Sequence, residues 1–208
     1  TLRRLIGAAT QIAATAYNSQ HDVDEILDMA EESIFKVSRG RGQQGYVQLK
    51  DVLVETMEKL EYLASNRGDV IGLASGLSDL DSLTLGFQPS DLIILAARPS
   101  VGKTSLGLNI ARNAAIKGGC TVVVFSLEMS REQVAQRLLC SESAINSQKL
   151  RSGFISSDDE WRRLSIALGR LGEAKIFIDD TPGISVMELR AKARRVKAEH
   201  GLGLIVID

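Results

Sequence analysis

A glycine, a lysine and a hydroxyl stand in a row at Gly102-Lys103-Thr104. Those residue types in that order can hold the phosphates of a nucleoside triphosphate. Backbone N–H groups at a helix start point outward at an anion, aided by the helix dipole. A glycine lets the backbone approach without a Cβ in the way. The Lys103 ammonium is then suited to the β and γ phosphates, and the Thr104 hydroxyl to Mg²⁺. The segment Ala97-Arg98-Pro99-Ser100-Val101-Gly102-Lys103-Thr104 fits the pattern G-x-x-x-x-G-K-[ST] except at its first position, where Ala97 replaces glycine. The candidate nucleotide-binding set is Arg98, Pro99, Ser100, Val101, Gly102, Lys103, Thr104 and Ser105.

Hydrolysis also needs an acid to hold the hydrated metal and another to orient or deprotonate water. Asp208 follows the apolar run Leu204-Ile205-Val206-Ile207, the position of a metal-holding strand-end carboxylate. Glu128 follows a second apolar run, in Phe125-Ser126-Leu127-Glu128-Met129-Ser130. In open parallel sheets ligands bind beyond the carboxyl ends of the strands, which puts Glu128 on the same rim as the phosphate loop. By position alone it reads equally as a base or as a helix-start glutamate favoured by the dipole.

The elements that must position these groups follow from the pattern. Leu92-Ile93-Ile94-Leu95-Ala96 reads as a buried strand leading into the loop, and residues 103–117 as the helix leaving it. Gly118-Gly119 ends that helix. A buried strand is predicted at Thr121–Phe125 and further apolar strands at Lys175–Ile178 and Leu204–Ile207, with a helix near 158–171 between the first two. Ser130-Arg131-Glu132-Gln133 and Ser185-Val186-Met187-Glu188 read as capping boxes opening two further helices. Alternating strands and helices imply an α/β domain over 70–208 with a mainly parallel sheet.

Upstream, residues 1–37 carry apolar side chains at helical steps, from Leu2, Leu5 and Ile6 to Ile34 and Val37, and predict a helical hairpin. Residues 38–45, with three glycines among polar neighbours, read as linker within a 38–69 connection. Leu49, Val52, Leu53, Met57 and Leu60 stripe a helix over 48–64. That stripe must be covered, by its own domain or by a neighbouring subunit.

Bulk properties narrow little. The chain has 208 residues, a formal net charge of -1 and 4% aromatic residues, so the core must be aliphatic and no global charge marks a nucleic-acid binder. No apolar run reaches the ~20 residues needed to span a bilayer. Cys120 and Cys140 make neither a disulfide framework nor a metal site, and are expected as buried thiols in a reducing compartment. The start, Thr1-Leu2-Arg3-Arg4-Leu5, reads as mid-helix, and the chain as a cytoplasmic fragment. His21 and His200 have no metal-ligand partner at useful spacing. Trp161 is expected in the core, and the basic cluster Arg194, Arg195 and Lys197 on a solvated helix face.

Four motifs in order, Ala96–Thr104, Phe125–Ser130, Ile178-Asp179-Asp180-Thr181-Pro182-Gly183-Ile184 and Ile205–Asp208, resemble the bacterial replicative DNA helicase family of the DnaB type. Gly76-Leu77-Ser78-Asp79-Leu80-Asp81 and Gly86-Phe87 resemble that family's approach to its phosphate loop, and Ala97 is usual there. The resemblance covers essentially the whole chain. It implies a RecA-like ATPase domain, truncated here, that works as a homohexamer. It implies ATP and Mg²⁺ as cofactors, and single-stranded and forked DNA, primase and a helicase loader as partners, in a cytoplasmic, nucleoid-associated setting. It assigns phosphate contact and a catalytic role to Lys103, Mg²⁺ contact to Thr104 and Asp208, and the catalytic base to Glu128. It reads residues 1–37 as the end of a helical N-terminal domain, and favours docking of the 48–64 helix on the adjacent subunit. The family's DNA-contacting loops and arginine finger lie beyond Asp208, so no DNA-contacting residue is assigned. Two other readings share parts of this pattern: a RecA-like recombinase or clock-type ATPase, disfavoured by the helical segments before the loop, and a module that only recruits partners.

Overall fold

The structure is a computed structural model that describes residues 2–17, 48–65, 70–155 and 157–208, with scattered positions between 23 and 37. Contacts group the chain into two units, Thr1–Ser65 and Asn66–Asp208. The first contains α1 (Leu2–Tyr17) and α2 (Leu49–Ser65). The turn of the expected hairpin, half of its second helix, His21 and the glycine linker lie outside the described residues. On α2 the stripe Leu49, Val52, Leu53, Met57 and Leu60 is exposed. No helix among the described residues is long and apolar enough to cross a membrane.

The second unit is a three-layer α/β structure. Its order is α3 (Ser78–Thr84), α4 (Lys103–Ile116), β1 (Val122–Phe125), α5 (Arg131–Ser143), α6 (Ser147–Ser152), α7 (Asp158–Glu173), β2 (Ile176–Asp179), α8 (Val186–His200) and β3 (Leu204–Ile207). The strands are parallel in the order β2-β1-β3. Valine-rich β1 is central and wholly buried, which its unbroken apolar run requires. Val122 and Val124 pack against Leu108, Ala111 and Ala115 of α4 and Val134 and Leu138 of α5. Val123 and Phe125 face Ala193 of α8 on the opposite side. Helices on both faces leave the carboxyl ends of the strands as an open rim.

Four expectations need correction. Leu92–Ala96 is not a strand: it makes no ladder hydrogen bond, and Leu92 and Ile94 are 88% and 82% exposed. Ile93 and Leu95, less exposed than their neighbours, line a cleft of about 200 Å³ beside β3. A central parallel strand is stabilised from both edges and both faces; this segment has β3 across that cleft and no described strand on its other side. Trp161 is 57% exposed on α7 rather than core, because Leu164 and Ala167 supply that helix's buried face. Cys120 and Cys140 are half-buried free thiols, not fully buried ones. The second capping box is half formed. Ser185 accepts the Glu188 N–H, but the Glu188 carboxylate pairs with Lys192 at 3.1 Å, one helical turn on. The first box, at Ser130 and Gln133, has both of its bonds.

Candidate functional site

The phosphate-loop segment leads directly into α4. Gly102 is the N-cap, with φ 103°, and Ser100 also has a positive φ of 65°. Positive φ is costly for residues with a Cβ, so Gly102 suits the first position and Ser100 carries local strain. A Cβ built on Gly102 meets nothing within 4 Å, so the backbone at the helix start faces open space. Such a turn can aim successive N–H groups at an anion.

Lys103, Thr104 and Asp208 converge. Lys103 Nζ lies 2.9 Å from Asp208 Oδ1, and Thr104 Oγ1 donates to Asp208 Oδ2 at 2.7 Å. The Asp208 side chain is largely buried, whereas Lys103 is about two-fifths exposed. Burial pushes the Asp208 carboxyl up, but hydrogen bonds from Lys103 and Thr104 and the charges of Lys103 and Arg137 outweigh it, holding it below the usual carboxylate range. Lys103 is raised in turn, first by its hydrogen bond to Asp208, then by that residue's charge, with a smaller contribution from Glu128. A hydroxyl and a carboxylate at hydrogen-bond distance are hard oxygen donors of the kind Mg²⁺ takes, with water and phosphate completing its shell. No cluster of three or more His, Cys, Asp or Glu able to hold a metal occurs among the described residues.

Glu128 occupies the exposed loop between β1 and α5, near enough to Lys103 to raise its pKa. The loop is tied at several points. Ser126 N–H donates to the Asp179 carbonyl at 2.8 Å, and Leu127 N–H to the Asp208 carbonyl at 2.6 Å. Asp208 N–H returns to the Phe125 carbonyl at 3.0 Å. Met129 N–H donates to Ser126 Oγ at 3.2 Å. The tips of all three strands are thus joined around Glu128.

Sequence reasoning missed Arg137. From α5 it donates to Ser105 Oγ at 3.3 Å and its charge acts on Asp208. Its only sequence signal is helical periodicity: with Val134 and Leu138 buried, Arg137 falls beside them on a face turned toward α4. A cavity of about 800 Å³ opens there, lined in part by Ser105, Asn109, Gln133 and Arg137. Arg98, Pro99, Ser100 and Val101 form the turn before Gly102, where Val101 N–H donates to the Arg98 carbonyl at 3.3 Å.

Residues 72–208 match the family model for the DnaB-like helicase C-terminal domain. The chain belongs to this family. Among curated DnaB-type relatives, the Bacillus subtilis replicative DNA helicase DnaC is 49% identical over 207 residues, covering 100% of this chain and 45% of that protein. The Geobacillus stearothermophilus replicative DNA helicase DnaB matches at 49% identity with the same coverage. The chain therefore spans about half the length of these relatives. Of solved structures, the ATPase domain of G40P superposes with a TM-score of 0.72 at 32% identity, covering 79% of this chain and 57% of that one. A DnaB-like replicative helicase described with its interactions with primase gives a TM-score of 0.77 at 28% identity, covering 99% and 46%. The α/β fold expected from the sequence is the DnaB-like ATPase architecture, with three parallel strands among the described residues.

Proposed function

We propose that the chain is the motor portion of an ATP-dependent replicative DNA helicase. The convergence of Lys103 and Thr104 on Asp208 at the open end of a parallel sheet carries this reading. Arg98 to Val101 and the N–H groups of Gly102 to Ser105 cradle the phosphates of ATP. Lys103 contacts the β and γ phosphates. Thr104 and Asp208 hold Mg²⁺, which when bound offsets the phosphate charge. Glu128 accepts a proton from water as its oxygen attacks the γ-phosphorus. The bond to the β,γ-bridging oxygen breaks, and ADP and inorganic phosphate leave. Arg137, with its charge near Asp208, adds positive potential at this end of α4.

Identity to replicative helicases across the whole chain supports translocation on single-stranded DNA and unwinding of forked duplex as the use of this hydrolysis. The exposed stripe of α2 supports assembly into a homohexamer, with that helix docked on the next subunit. A primase and a helicase loader are the expected partners, in the cytoplasm at the nucleoid. By that reading 1–37 closes an N-terminal helical domain, 38–69 is the connection, and 70–208 belongs to the motor.

The test uses the full-length protein with Mg²⁺ and ATP on a forked DNA substrate. Strand separation and DNA-stimulated hydrolysis are expected, and Lys103→Ala should abolish both. Absence of unwinding by the wild type overturns the helicase assignment. Normal hydrolysis by Glu128→Gln overturns the assignment of the base while leaving the nucleotide site standing.

A further inference from the structure

The loop carrying Glu128 is held largely by main-chain bonds within the rim, but its far end is gripped by a side chain from another strand. Asp180 follows β2 and reaches across to the first turn of α5. Its Oδ2 accepts the Arg131 N–H at 3.0 Å, and its Oδ1 pairs with the Arg131 guanidinium at 2.7 Å. Arg131 is the first residue of α5, so this bond satisfies a helix-start N–H that no helical carbonyl can reach. Glu128 is three residues away along the same loop.

Asp180 is itself held in place. The neighbouring Asp179 accepts the Thr181 N–H at 3.0 Å and pairs with Lys192 of α8 at 2.8 Å. Lys192 also donates to Thr181 Oγ1 at 2.9 Å. The turn after β2 is therefore fixed from the opposite layer of the fold, and the two adjacent aspartates have different tasks. Asp179 locks the turn to α8, and Asp180 uses the locked turn to hold the start of α5.

We propose that Asp180, acting through Arg131, is a positioning residue that sets where Glu128 stands over the phosphate loop. The inference rests on the reading of Glu128 as the base. Among the described residues the Asp180 side chain bonds to Arg131 and not to Lys103 or the phosphate loop, so its loss acts on the attacking water rather than on nucleotide binding. An error of about 1 Å in a catalytic group can cost on the order of a hundredfold in rate.

The experiment is steady-state ATP hydrolysis by the full-length protein with Asp180→Ala, Asp180→Asn, Arg131→Ala, Glu128→Gln and the double variant Glu128→Gln/Asp180→Ala. Asp180→Ala should lower kcat about ten- to hundredfold with KM for ATP within about twofold. Asp180→Asn keeps an acceptor for the Arg131 N–H and should recover most of that loss. Arg131→Ala likewise keeps the N–H bond and loses the ion pair, and should behave as Asp180→Asn does. The double variant should hydrolyse at the Glu128→Gln rate, because a residue acting only through Glu128 adds nothing once that group is gone. Wild-type kcat in Asp180→Ala, or equal losses in kcat and nucleotide affinity, overturns the proposal. If Asp180→Ala does not fold, a double-variant comparison made with Asp180→Asn decides: a further drop below Glu128→Gln overturns it. A fully active Glu128→Gln instead overturns the base assignment on which the proposal stands.

Discussion

Replacing Asp81 should destabilise the Asn66–Asp208 unit by an amount that its surroundings set. Its carboxylate is buried and has no cation paired with it among the described residues. It accepts the Ser75 N–H at 2.8 Å, the Ser75 hydroxyl at 2.7 Å and the Gly76 N–H at 3.0 Å. Ser75 is fully buried, and its carbonyl receives the Asn113 side chain of α4 at 3.0 Å. Asp81 thus fastens the approach segment to the helix that leaves the phosphate loop. Asp81→Ala strands the Ser75 N–H where no water reaches it, at about 1–3 kcal/mol, and removes about 1 kcal/mol more at the Ser75 hydroxyl. Gly76 is exposed, so its N–H can turn to solvent at little cost. The expected loss is about 2–4 kcal/mol, a fall in Tm of roughly 5–15 °C for a unit of this size. Urea melts followed by far-UV circular dichroism and by the single tryptophan, Trp161, report on this unit.

The pH dependence gives a second reading of the same site. Burial raises the Asp81 carboxyl, but the hydrogen bonds from Ser75, Gly76 and Leu77 outweigh it and hold it below the usual range. A carboxyl depressed in the folded state stabilises fully above its unfolded value of about 3.9, and that stabilisation is lost as pH falls through the folded value. The gap between wild type and Asp81→Asn should therefore be widest near neutral pH and close in acid. An Asp81→Ala protein as stable as wild type, or a gap that widens in acid, would refute the reasoning.

Gly102→Ala meets no steric obstacle in the fold but forces alanine to a φ of 103°, costing about 1–2 kcal/mol, and should weaken binding of a fluorescent ATP analogue more than tenfold. Gly76→Ala should be worse for folding. Its Cβ would collide with the Asn113 side chain at a φ of 78°, and a loss of more than about 2 kcal/mol is expected in the same melts. Thr104→Ser should bind Mg²⁺-dependent nucleotide nearly as the wild type does, and Thr104→Val at least about tenfold more weakly by calorimetry, since only the hydroxyl reaches Asp208. Leu53→Asp or Leu60→Asp on the exposed stripe of α2 should shift the full-length protein from hexamers to smaller species by light scattering, with helix content unchanged by circular dichroism.

Local signals carried much of this architecture into view. Val122–Phe125 is apolar without interruption because both of its faces are covered, and the Ser130 capping box announces α5 because its bonds lie within four residues. The phosphate loop is legible for the same reason: its geometry is made by consecutive residues. Leu92–Ala96 shows the limit. Its composition is that of a buried strand, but pairing depends on an edge that lies elsewhere in the chain, and here that edge is a cleft rather than a ladder. Trp161 shows it differently, since an aromatic residue on a mixed helix declares nothing about which face turns inward. Arg137 and Asp180 show the limit again, since the sequence assigned neither of them a role in the site. One meets Ser105 across 32 positions and the other meets Arg131 across 49: periodicity gives the face on which Arg137 lies but names neither partner.

The bonds among Lys103, Thr104 and Asp208 make these groups mutually satisfied: the cation neutralises the carboxylate and the hydroxyl fills its second oxygen. On the proposed reading, a nucleotide that recruited Lys103 would take that countercharge from Asp208 and leave the charge of Arg137 to act on the carboxylate. A divalent ion at Asp208 would replace that countercharge, so on the proposed reading Mg²⁺ and nucleotide should bind more tightly together than apart. The resting ion pair would then favour metal-bound over metal-free nucleotide before any chemistry begins.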